Sequence, residues 1–131
     1  MLNWSGKMIL NKKLAMAMML GAAAAVTPVM PALAHHSFAM FDKEKVLDLN
    51  DATVTKFSWT NPHSSVILTV NGVDYILECN STNMMSRAGW KVNTLKAGDK
   101  VNATYHPLRN GKNGGMLKTV TLADGTTLSA W

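Results

Sequence analysis

The run SSVILTVNGVDYILECNSTNMMSRAG, residues 64–89, decides the fold. Residues 64–70 form a β-rich run, as do residues 73–79, and Asn71-Gly72 lies between them. Asn-Gly at that spacing is the strongest short hairpin signal, because both central residues of a type I′ turn need positive φ. In the second run Val73, Tyr75, Leu77 and Cys79 alternate with Asp74, Ile76 and Glu78, so the first set is expected to face inward. Residues 80–89 then change character. Asn80, Ser81 or Thr82 can cap a short helix, Met84, Met85 and Ala88 give it an apolar side as core filling, and Gly89 can end it.

Working outward, residues 46–59 read as a first strand with a bend at Asn50-Asp51. Thr53, Thr55, Phe57 and Trp59 fall on one of its faces and Val54 on the other. Asn61-Pro62 ends it, since Pro lacks a donor and restricts the residue before it. Downstream, Ala97-Gly98-Asp99 turns the chain into a fourth strand at residues 100–106. Residues 107–115 read as a loop with Asn110-Gly111 and Gly114-Gly115, followed by a fifth strand at 116–122. Asp124-Gly125 leads to a short extension at 126–131 that offers an edge for pairing with a protein partner. Three strands, a helix and two strands is the order of the OB-fold. The expectation is therefore a mainly β, five-stranded OB-like barrel with one short helix between strands three and four. Another small β-barrel with one helix is the alternative.

The N-terminal quarter belongs to a different class. Lys7, Lys12 and Lys13 precede an uncharged run at residues 14–26 rich in Ala, Met and Leu, then Pro28, Pro31 and Ala32-Leu33-Ala34. This is the order of a secretory signal, with a charged segment, an apolar segment and an A-x-A cleavage site. The apolar run is shorter than the roughly 20 residues of a membrane-spanning helix. Residues 1–34 are therefore predicted to be a signal peptide. The rest, residues 35–131, is predicted to be one periplasmic domain with no membrane attachment after cleavage.

The formal charge of +5 over 131 residues falls once the three signal-segment lysines are removed, leaving ten basic residues against eight acidic ones. So slight an excess, with no clustered basic patch, excludes nucleic acid as the expected partner. A single cysteine, Cys79, excludes an internal disulfide and suits a buried, inert thiol. No HExxH, G-x-S-x-G or phosphate-binding glycine loop is present. A Cys79–His nucleophile would need a thiol that the alternation turns inward, so the chain is not expected to be an enzyme.

Several stretches carry a resemblance: HHSFAMFD at 35–42, WTNPH at 59–63, RAGW at 87–90, GDKV at 98–101 and HPLRNG at 106–111. Together they resemble a family of small exported proteobacterial proteins of unknown function, over essentially the whole of residues 35–131. The resemblance implies that His35, His36, His63 and His106 are family-motif positions.

Those four histidines are the candidate ligands. His35 would become the mature N-terminus with His36 beside it, His63 follows Asn61-Pro62 between two strands, and His106 ends the fourth strand. Imidazole suits copper and zinc. An N-terminal His can chelate through its amine and its ring together, and one imidazole in trans completes a histidine brace for copper. Met40 and Met116 offer thioethers for reduced copper. The sequence thus predicts a small metal-binding protein with copper favoured over zinc. The alternatives are a metal-free OB-type module for a small ligand, with Trp59, Trp90, Tyr105 and Trp131 as stacking surfaces, and a protein-interaction module.

Overall fold

The computed structural model describes residues 38–131. The expected signal peptide and the His35–His36 pair lie outside the described residues. A 3-10 turn at Phe38–Met40 leads into β1 (Leu47–Ser58), β2 (Ser65–Val70) and β3 (Val73–Glu78). Helix α1 (Thr82–Arg87) follows, then β4 (Lys100–Pro107), β5 (Gly114–Thr121) and β6 (Thr127–Ser129). No helix among the described residues is long and apolar enough to cross a membrane.

β1 pairs antiparallel with both β2 and β4, β2 with β3, and β4 with β5. The first residues of β5 pair in parallel with β3, Ile76 opposite Gly114 and Glu78 opposite Met116, and this closes the five strands into a barrel. The circuit β1-β2-β3-β5-β4 is that of an OB-like barrel, with α1 in the expected place between β3 and β4. β6 adds to the second half of β5. The expected extension at 126–131 thus forms the edge strand of the sheet, paired with β5 on one side.

The β2–β3 hairpin has the expected turn: Val70 opposes Val73, and Asn71 and Gly72 have φ of 50° and 77°. Leu77 and Cys79 are fully buried and Tyr75 packs against the core. Val73, at the turn itself, is exposed.

β1 departs from a simple alternation. Asn50 and Asp51 together oppose Asn102, because the register passes from Leu49–Ala103 to Ala52–Val101. Asp51 has φ of 52°, and its N–H donates to Asn102 Oδ1 at 2.8 Å. A second shift lies between Val54 and Lys56 on the β2 side. Each bulge resets which residues face the core. Ala52 and Val54 are buried before the second shift, and Phe57 and Trp59 pack against the core after it. Thr55 is left outside, hydrogen-bonded to Thr69. The single face of Thr53, Thr55, Phe57 and Trp59 is therefore corrected: the shift at Thr55, invisible to a period-two count, puts only the two aromatics inward, while the first bulge falls at the expected Asn50-Asp51 bend.

Ser81 caps α1, its side chain accepting from Met84 N–H, and Gly89 at φ 94° follows the helix. Only one methionine of the pair fills the core: Met85 is buried and Met84 is 49% exposed. Trp90 is buried and donates its indole N–H to Ser129 O at 2.7 Å.

Gly114 and Gly115, expected in a loop, are the first two residues of β5. A Cβ on Gly114 would collide with the carbonyl of Ile76, and one on Gly115 with the carbonyl of His106. The strand that closes the barrel passes between two backbones with no room for side chains there.

Candidate functional site

The segment before β1 is bound to the barrel by its backbone. Asp42 N–H donates to Pro107 O at 2.8 Å, Arg109 N–H to Met40 O at 2.9 Å, and Arg109 Nε to Ala39 O at 3.1 Å. Phe41 is buried and bridges to Leu108, while Asp42 meets Lys45 Nζ at 3.3 Å and Arg109 at 3.9 Å. Burial pushes the Asp42 carboxyl upward, but the Lys45 hydrogen bond and the Lys45 and Arg109 charges outweigh it and hold it below its ordinary value.

This segment, the β1–β2 loop, β3 and the β4–β5 loop enclose a cavity of about 470 Å³. Met40, Phe41, Pro62, Ile76 and Leu108 supply apolar walls; His63, Glu78 and Lys112 supply the ionisable groups. The cavity lies on the strand 2–3 side between the two loops that OB-folds use for ligands.

His63 is placed by its neighbours. Its Nδ1 is 3.2 Å from Cys79 O and 3.5 Å from Glu78 Oε1. Its ring lies 5.6 Å from that of Trp131, whose indole N–H donates to Glu78 O at 3.2 Å. Trp131 in turn meets Phe38 edge-on at 5.3 Å, and Lys43 Nζ sits 4.2 Å over the Phe38 ring. The first described residue is thereby connected to His63 through one tryptophan.

His106 is held similarly, its Nδ1 2.7 Å from Lys45 O. A carbonyl oxygen only accepts, so the hydrogen-bond pattern assigns the proton to Nδ1 in both rings and leaves Nε2 as the lone-pair nitrogen of the neutral imidazole. Metal-binding histidines are commonly oriented in this way. The two are not neighbours, however. His106 opposes Met116, and Met116 opposes Glu78, so β5 intervenes between His106 and the strand that carries Glu78. Met40 lines the cavity with His63, whereas Met116 is buried. Among the described residues no three His, Cys, Asp or Glu side chains come together as a metal-holding group. His63 and Glu78 make a pair, and any third ligand has to come from a thioether or from outside the described residues.

Cys79 is fully buried, and burial followed by the Glu78 charge pushes its thiol up to about 12. It is neither a thiolate ligand nor an activated nucleophile. Of the proposed stacking surfaces, Trp90 and Tyr105 are buried and Trp59 packs against the core. Of the four, only Trp131 touches the cavity's polar wall. Glu78 escaped the sequence reading, and Trp131 was expected as a stacking surface but not beside His63 and Glu78. The first carried a signal, since alternation placed Glu78 on the outward face beside Ile76. The place of the second carried none, because only the pairing of β6 with β5 brings residue 131 to β3.

Comparison with curated proteins and with solved structures finds no match. Residues 23–118, a span that includes all four histidines and both walls of the cavity, match a family of unknown function, DUF6152, and the chain belongs to that family.

Proposed function

We propose that this is a small exported binding protein that takes a copper ion at the His63 wall of the cavity, with His35 and His36 of the mature N-terminus as partner ligands and zinc as the weaker competitor. The observation that carries the reading is the setting of His63. Its Nδ1 is committed to the Cys79 carbonyl, the Glu78 carboxylate is adjacent, and its Nε2 is left with a lone pair. The ring touches Trp131, and Trp131 touches Phe38. Phe38 follows His36 by two residues in the sequence. His106, across β5, is the less favoured ligand.

The test is a Cu(II) titration read by electron paramagnetic resonance, on protein exported with its native N-terminus and on His36→Ala, His63→Ala and His106→Ala. Loss of nitrogen hyperfine structure and of affinity in His63→Ala, with His106→Ala near wild type, supports the site. Wild-type binding by His63→Ala defeats it. A second reading, a metal-free ligand module of OB type, is favoured by the apolar walls of Phe41, Ile76 and Leu108, which a bare ion would leave unused.

A further inference from the structure

Glu78 sits in an unusual electrostatic position. Its side chain is 22% exposed on the wall of a largely apolar cavity. Among the described residues no lysine or arginine lies within ion-pair distance of it, and its one partner within that distance is His63 at 3.5 Å. A carboxylate partly withdrawn from water onto an apolar wall gains more from a nearby cation than one in open solvent. The opposite charge in the cavity, Lys112, is exposed, where solvation and salt weaken its pull on an anion. The other lining residues, Ile76 at 61% exposure beside Glu78 on β3, Met40 at 40% and the buried Phe41, present apolar surface that a hydrophilic cation would leave uncovered. A volume of about 470 Å³ falls within the range of small-molecule sites.

We propose that the cavity binds a small organic monocation, an amine carried on an apolar body, with the ammonium at Glu78 and the body against Met40, Ile76 and Leu108. The inference deepens the second, metal-free reading of this site and does not depend on copper. Glu78 supplies the charge contact, with the His63 ring beside it at 3.5 Å. The apolar walls contribute affinity in proportion to the area that they remove from water.

The test uses one carbon skeleton with three head groups: 4-phenylbutylamine, 4-phenylbutanol and 4-phenylbutyrate. Each is titrated into the exported protein in the presence of a metal chelator, so that the outcome is separate from that of the copper experiment. Binding is followed by the amide shifts of Ile76 and Glu78 and the indole N–H shift of Trp131. The amine is expected to bind at least tenfold more tightly than the alcohol, and the carboxylate more weakly than either. Glu78→Gln should reduce the amine to the affinity of the alcohol and leave the alcohol unchanged, while Ile76→Ser should weaken both alike. Equal or tighter binding of the carboxylate, an unchanged amine preference in Glu78→Gln, or shifts confined to residues outside the cavity would each overturn the proposal. If all three compounds fail to bind, the metal-free reading itself falls with it.

Discussion

Gly115→Ala is the substitution that tests the barrel closure most directly. Gly115 opposes Pro107 in β4 and Leu77 in β3, so it is paired on both sides. A methyl group there would drive into the His106 carbonyl oxygen, and would lie 2.9 Å from its carbon and 3.0 Å from Tyr105 Cδ2. The obstacle is mainly backbone, which cannot rotate aside. Overpacking of this kind costs about 1–3 kcal/mol, the upper end being appropriate here. Spreading β4 from β5 weakens a ladder hydrogen bond worth about 1 kcal/mol more. A loss of about 4 kcal/mol lowers Tm by roughly 16–32 °C in a domain of this size. The control is Gly125→Ala, at φ 87° but with nothing near its Cβ direction, which carries a conformational penalty of about 1 kcal/mol and no collision. Calorimetry on both variants decides the matter. A Gly115→Ala that loses no more than Gly125→Ala would show that β5 is not held between two backbones.

Other outcomes follow from the same structure. Gly72→Val should lower Tm by about 5–10 °C, because a β-branched residue at φ 77° is strained; an unchanged Tm in thermal denaturation would refute the type I′ turn. Met85→Ala should cost about 2–5 kcal/mol by urea denaturation, against under about 0.5 kcal/mol for the exposed Met84→Ala. The Cys79 thiol is raised in the folded state, so its contribution to stability is complete below the ordinary thiol range and is lost as pH rises through it toward about 12. Melting curves should therefore fall more steeply above pH 9 for the wild type than for Cys79→Ala; parallel curves would contradict the burial. In native protein Cys79 should resist a thiol reagent that labels it at once in denaturant.

Much of the fold was legible because its signals are local. The Asn71-Gly72 turn, the Ser81 cap and the order of strands around α1 each depend on a few consecutive residues. The bend at Asn50-Asp51 was legible too, but the face of β1 beyond it was not, since the bulge at Thr55 arises from the register with Leu68 and Ile67 on another strand. Gly114-Gly115 reads as loop punctuation until β3 and β4 are known to lie on either side. The site divides in the same way. His63 stood out by its place after a proline, but its partners come from the end of β3 and from residue 131, which no spacing rule relates to it. His35 and His36 lie outside the described residues, so the N-terminal half of the metal reading rests on sequence.

The two edges of β5 also set a timetable for folding. The β2–β3 hairpin connects neighbours in sequence and can form within microseconds. The β3–β5 pairing joins residues 76–78 to residues 114–116, so it must wait for a long loop to close, and loop closure of that kind slows folding. Until it forms, β3 presents an open edge with Ile76 exposed beside it. The rate at which β5 docks thus governs how long the β3 backbone edge is available for misassociation.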